Sequence, residues 1–102
     1  MIGMEIFMIT TKQRAFLRGR ANTIDTIVTI GKGGITENII KQTSDALECR
    51  EIVKGKCLET SLISSREAVQ ALAEACGAEI VQTIGNKFVL YRPAKEPKIV
   101  LP

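Results

Sequence analysis

Gly31, Lys32, Gly33 and Gly34 are the residues of this chain whose types and spacing best suit a defined chemistry, the binding of a phosphate. Glycine lets a ligand approach the backbone without a Cβ in the way. A helix start supplies unpaired N–H groups and a partial positive charge, and Lys32 adds a full charge. The stretch therefore predicts an anion site, although a tight strand-to-helix turn would use the same residues.

The spacing of the glycines narrows the kind of phosphate. A nucleotide P-loop needs GxxxxGK[ST] and a dinucleotide fingerprint needs GxGxxG, and neither spacing is present. The remaining pattern is GxxG, the short clamp that KH domains use on a nucleic-acid backbone. Glu37, in the first turn of the following helix, would repel phosphate if its side chain pointed into the loop.

The charge distribution also favours a polyanion. The net charge of the 102 residues is only +3. Basic residues exceed acidic ones in residues 10–34 and again in residues 86–102, whereas acidic residues prevail in residues 35–85. If the two basic ends meet in the fold, they form one basic face; scattered solvated charge is the alternative interpretation.

The residues that are missing exclude other functions. The chain has no histidine, which excludes Ser-His and Cys-His catalytic pairs and the most common general base. We therefore expect no enzyme, metal, cofactor or small-molecule substrate. Cys49, Cys57 and Cys76 are interpreted as buried thiols in a reducing cytoplasm. We expect no membrane segment, because no apolar run approaches the ~18 residues that a span needs.

Hydrophobic periodicity and capping signals predict the elements that position the loop. Phe16 is assigned to the core side of the first helix, and Gly55 predicts a bulge or a close approach by another element. The predicted helices cover residues 11–21, 36–49 and 65–76, and the predicted strands cover 27–30, 52–58, 80–84 and 87–91. This order, α-β-α-β-α-β-β, predicts an α/β fold, a two-layer sandwich of a four-stranded mixed sheet and three helices.

Several motifs together resemble one known family. They are TKQRAFLRGRAN, GKGGIT before a helix, EIVKGK and IGNKFVLYRPAKE. The combination resembles the chloroplast RNA splicing and ribosome maturation (CRM) domain in its stand-alone bacterial YhbY form. The resemblance covers residues 10–101. The sequence departs from the family at Asn22, where histidine is frequent, and at Thr26, where proline is frequent.

The resemblance implies an RNA-binding module with a KH-like GxxG loop at Gly31–Gly34. It implies a fold similar to the C-terminal domain of translation initiation factor three, and association with ribosomal RNA in precursors of the large ribosomal subunit. The expected organisation is an extension at residues 1–9, one CRM-type domain at 10–93 and a tail at 94–102.

The resulting hypothesis places RNA phosphates over the Gly31–Gly34 loop. Arg14, Arg18, Arg20 and Lys32 are expected to add charge contacts, with Lys54, Lys56 and Arg92 as further candidates. Three alternatives remain open at this stage: a protein-interaction module docking on an acidic partner, an enzyme for a phosphorylated small molecule, and a DNA-binding protein. Aromatic residues are few, so recognition is expected to depend on the RNA backbone and shape.

Overall fold

The computed structural model of the chain describes residues 10–59, 64–94 and 99. The extension predicted at residues 1–9 lies outside the described residues, as do residues 95–98 and 100–102 of the predicted tail. The helices are α1 (Thr11–Ala21), α2 (Glu37–Arg50) and α3 (Ser65–Cys76). The strands are β1 (Thr26–Ile30), β2 (Ile52–Cys57), β3 (Glu79–Ile84) and β4 (Lys87–Tyr91).

The predicted α/β class and element order are confirmed. Local capping residues set the ends of the helices. Thr10 begins α1 with a capping box: its hydroxyl accepts from Gln13 N at 3.1 Å, and its own N–H donates to Gln13 Oε1 at 3.0 Å. Ser64 and Glu67 repeat this arrangement at α3. Gly77 ends α3 with φ 66°, a left-handed conformation that favours glycine. No described helix has the length and apolar character needed to cross a bilayer.

The four strands form one mixed sheet in the order β1-β2-β4-β3. β1 runs parallel to β2, and the other two pairs are antiparallel. The Gly85-Asn86 turn joins β3 to β4, and its tip contacts the end of β2, where Cys57 N donates to Asn86 O at 2.7 Å. The carboxyl ends of β1 and β2 and this hairpin turn therefore share one end of the sheet, called here the loop end.

Both faces of the sheet are covered by helices. The helices α2 and α3 pack on one face, and α1 packs on the other. The sequence predicts two layers, so the layering differs from that expectation. β4 explains the difference, since it buries Phe88, Val89, Leu90 and Tyr91 in succession and so needs cover on both sides.

Two side chains predicted to be buried are exposed. Phe16 is 37% exposed, because α1 rests on the sheet through Leu17 and Ala21, and Phe16 lies about 100° around the helix from that line. Cys49 is exposed, since α2 turns Thr43 and Leu47 inward. The other two thiols are buried, and burial raises the pKa of each, Cys57 and Cys76.

Gly55 marks a close approach by Phe88, and beside it the pairing of β2 with β1 is irregular, between Thr26 and Val28. It lies in β2 opposite Phe88 of β4, and the register of that strand pair has no irregularity. A Cβ at residue 55 would lie 2.8 and 2.9 Å from Cε1 and Cε2 of the Phe88 ring, and closer still to Cζ. The ring is 1% exposed, so it is enclosed by the core. The glycine therefore makes the space that the aromatic ring fills.

Substitution of Gly55 by alanine is expected to lower the free energy of unfolding by about 1–3 kcal/mol, the usual cost of overpacking a core. Urea denaturation of the wild type and of Gly55→Ala measures the loss. The paired variant Gly55→Ala/Phe88→Leu removes the ring and should regain part of it. Equal stability of Gly55→Ala and the wild type would contradict the steric explanation.

Glu51 is a fully buried carboxylate that sequence reasoning passed over. It ends α2 with φ 67°, and its N–H donates to Leu47 O at 2.8 Å. Its two carboxylate oxygens accept from the backbone of the segment after β4, from Ala94 N at 2.9 Å and Ile99 N at 2.7 Å. Burial and then the charge of Glu51 raise the pKa of the neighbouring Tyr91. Glu51 thus fastens the chain beyond β4 to the domain.

Candidate nucleic-acid interface

The glycine loop forms a hydrogen-bonded turn at the loop end. Gly34 N donates to Gly31 O at 3.0 Å, and Gly34 has φ 69°. Lys32 and Gly33 at its tip are exposed. A Cβ at Gly33 would lie 3.6 Å from Thr36 Cγ2, an ordinary contact, so the fold itself tolerates a side chain there. Glycine at this position is therefore not a steric requirement of the turn.

The loop leads directly into the start of α2. Thr36 is the N-cap, and its hydroxyl accepts from Ile39 N at 3.2 Å. Glu37 follows in the first turn with an exposed side chain. The remaining first-turn N–H groups and the dipole of this 14-residue helix favour an anion beside the loop.

A row of four side chains, two of them lysines, crosses the sheet at the loop end. The registers place Thr29, Lys56, Lys87 and Ile84 opposite one another across all four strands. Side chains alternate along a strand, so this row lies on the face that α1 covers only in part. We call the uncovered part of that face, with Lys54 and Gln82 in the next row, the open sheet face.

The open sheet face has the composition of a polyanion-binding surface. Lys54 and Lys56 are half-buried and Lys87 is exposed. None of the six residues that define this face is acidic, and none of its three lysines forms an ion pair with a described residue. Lys56 and Lys87 are directly opposite, and like charges at such positions destabilise a sheet. A bound polyanion would remove that repulsion.

The end of α1 borders the open sheet face. Lys54 Nζ donates to Ala21 O at 3.5 Å, where a cation is favoured by the helix dipole. Arg18 and Arg20 are exposed in the last turns of α1. Arg20 and Lys54 also line a shallow cavity of about 190 Å³. α1 thus places Arg20 beside Lys54, with Asp25 lining the same cavity.

Two predicted site residues are instead engaged within the chain. The Arg14 guanidinium donates to Ile80 O, which ties α1 to β3. The Arg92 guanidinium joins α2 to the end of α3, donating to Cys76 O at 2.8 Å and Ser44 O at 2.9 Å. Arg92 also pairs with Glu48 at 3.4 Å. Both guanidinium groups are therefore hydrogen-bonded to carbonyl groups of the protein itself.

The lysines of the open sheet face come from two different segments of the sequence. Lys54 and Lys56 belong to the mainly acidic residues 35–85, and Lys87 belongs to the second basic segment, whereas Arg92 lies against α2 and α3. The pairing of Lys87 with Lys56 therefore does not join it to the first basic segment, residues 10–34. Sequence reasoning did not select Lys87 as a site residue. Alternation along β4 indicates that Lys87 shares a face with Val89 and Tyr91, but only the pairing of β4 with β2 shows that it faces Lys56.

Comparison with known proteins gives one family over most of the chain. The family model of the CRS1 / YhbY (CRM) domain matches residues 9–92. The probable RNA-binding protein YqeI of Bacillus subtilis is 43% identical over 91 residues, covering 89% of this chain and 95% of its own length. An RNA-binding protein of Haemophilus influenzae is 36% identical over 94 residues, covering 92% and 95% of the two chains.

A solved structure has the same fold. The solution structure of the hypothetical protein SAV1595 from Staphylococcus aureus is 48% identical, with a TM-score of 0.78, and the match covers 93% of this chain and all of that one. The family model and the relatives, which match over nearly their full lengths, indicate the same family. This chain belongs to the CRS1 / YhbY (CRM) domain family.

Proposed function

We propose that this protein binds RNA through the loop end, and that it acts on ribosomal RNA in precursors of the large ribosomal subunit. The observation that carries the proposal is the pair Lys56 and Lys87 on the open sheet face, in the row that includes Thr29 near the end of β1, from which the glycine loop continues. Lys54 lies in the next row of the same face. The names of the bacterial relatives support RNA as the polyanion.

The loop and the lysines suit the RNA backbone. Phosphates would lie against the Gly31–Gly34 turn and the first N–H groups of α2, with Lys32 at the tip. Lys54 and Lys56, together with Arg18 and Arg20 from α1, would contact further phosphates. Arg14 and Arg92 would contribute less directly, since their guanidinium groups already hold protein carbonyls. Such contacts carry little sequence information, so the affinity should depend steeply on salt.

Substitutions at the loop tip are expected to weaken binding to a structured fragment of large-subunit ribosomal RNA. Lys32→Glu and Gly33→Asp should each lower the affinity about tenfold, because each places a carboxylate where a phosphate would lie. The slope of log affinity against log salt should also become shallower by about 0.7 for each lost single-strand phosphate contact. Fluorescence anisotropy at several salt concentrations measures both quantities.

Gly33→Ala is the matched control, since it adds a Cβ without charge and the fold has room for it. If RNA presses on the backbone at Gly33, this variant should bind more weakly while its urea midpoint stays within error of the wild type.

Unchanged affinity and salt slope in Lys32→Glu and Gly33→Asp, with folding intact, would refute the loop as the phosphate site. Salt-insensitive behaviour and no RNA in the purified protein would favour an acidic protein partner.

The ribosomal role needs a test in cells. Crosslinking followed by sequencing of the bound RNA should recover large-subunit ribosomal RNA, including precursor ends, above its background abundance. The protein should also co-sediment with large-subunit precursors rather than with mature subunits. Recovery of messenger or transfer RNA in place of ribosomal RNA would contradict this part of the proposal while leaving RNA binding intact.

A further inference from the structure

A small cavity opens on the open sheet face, where the end of α1 meets β3 and β4. Its volume is about 160 Å³. The apolar part of its lining comes from three strand residues, and the polar part comes from two amides and two lysines. The lining residues are Ile84, Phe88 and Val89 for the apolar part and Asn22, Gln82, Lys54 and Lys87 for the polar part.

The polar groups around this cavity are available to a ligand. The side-chain amides of Asn22 and Gln82 hydrogen-bond to no other described residue. Each offers two N–H donors and one carbonyl acceptor, which is the pattern displayed along the edge of a nucleobase. Lys54 and Lys87 place positive charge beside these amides, where a connecting phosphate would be stabilised.

The apolar part is unusual for a surface that otherwise holds lysine and amide side chains. Ile84 is 63% exposed, although it lies in the same row as Lys56 and Lys87. A planar base can pack on such a side chain, whereas a phosphate cannot. A bare phosphate would use the charged rim alone and would leave the isoleucine in water.

We propose that this cavity holds one unpaired base of the bound RNA, read by the amides of Asn22 and Gln82 and packed on Ile84. The inference rests on the proposed function, because Lys54 and Lys87 would hold the phosphates of the same nucleotide. It adds a preference for RNA with a bulged or unpaired nucleotide. The bases of an uninterrupted A-form helix are stacked inside the duplex and cannot enter a cavity.

The test compares two fluorescein-labelled RNA hairpins, one with a single bulged nucleotide in its stem and one fully paired. Wild-type protein is expected to bind the bulged hairpin about five- to tenfold more tightly, the value of one or two neutral hydrogen bonds. The variant Asn22→Leu/Gln82→Met keeps side-chain size and net charge, and should bind both hairpins equally with an unchanged salt slope. Gln70→Met, on the exposed side of α3, is the matched control.

The outcomes separate the two proposals. Tight, salt-dependent binding of both hairpins without preference would overturn the base site and leave the proposed RNA binding standing. A preference that persists in Asn22→Leu/Gln82→Met would also overturn it. Binding of neither hairpin at low salt would overturn both. Loss of the preference in the double variant alone, with Gln70→Met like the wild type, is the result that the base site predicts.

Discussion

Lys87→Glu is expected to make the protein more stable and to weaken its binding to RNA. In the free protein Lys56 and Lys87 are cross-strand neighbours of the same charge. Replacing one of them by glutamate turns repulsion into attraction, which should raise the free energy of unfolding by about 0.2–1 kcal/mol. The same change removes one phosphate contact and adds a repulsive charge, so the affinity for RNA should fall about tenfold.

The prediction is informative because the free energy of unfolding should rise while the affinity for RNA falls. A variant that binds poorly because it is misfolded would lose both stability and affinity. Urea denaturation gives the stability, and fluorescence anisotropy with the ribosomal RNA fragment gives the affinity. Lys12→Glu is the matched control, because it makes the same charge change at the exposed start of α1, outside the open sheet face. Equal affinities of Lys87→Glu and Lys12→Glu would show that only net charge matters.

Glu51→Ala is expected to cause a large loss of stability, about 3 kcal/mol or more. The substitution removes a buried carboxylate that accepts from Ala94 N and Ile99 N. Hydrogen bonds to a charged group contribute about 1.5–3 kcal/mol each, and Ala94 N would be left buried without its partner. Since small domains are stable by only about 5–15 kcal/mol, much of the stability would be lost. Urea denaturation measures it.

The backbone at residue 51 provides an internal comparison. Because φ is 67°, alanine keeps the left-handed strain there, whereas glycine relieves it. Glu51→Gly should therefore be about 1 kcal/mol more stable than Glu51→Ala while still less stable than the wild type. Glu74→Ala, at an exposed position of α3, should change the stability by less than about 0.5 kcal/mol. Wild-type stability in Glu51→Ala would contradict the fastening role.

The fold was predictable where local chemistry decides it. Capping residues Thr10 and Ser64 gave the starts of α1 and α3, and Gly77 gave the end of α3. The layering depends on tertiary packing, which no single segment displays. The unbroken apolar run Phe88–Tyr91 was the available signal that both faces of the sheet are covered.

The candidate site was predictable in its loop and less so in its surroundings. The glycine spacing located an exposed turn before α2. The roles of Arg14 and Arg92 could not be read from the sequence, because their carbonyl partners are distant along the chain. The partner of Arg14 is 66 residues away, and those of Arg92 are 16 and 48 residues away. Lys87 required the register of β4 against β2. Glu51 lacked any local signal, since its partners are more than 40 residues away.

The most direct test of RNA binding through the loop end is an NMR titration of the ¹⁵N-labelled protein with the ribosomal RNA fragment. Amide shifts should be largest at Gly31–Gly34, at the start of α2 and at Thr29, Lys56 and Lys87. Amides of the outward side of α3 should remain unchanged. Shifts concentrated on α3, or none at RNA concentrations that saturate the anisotropy signal, would contradict the account.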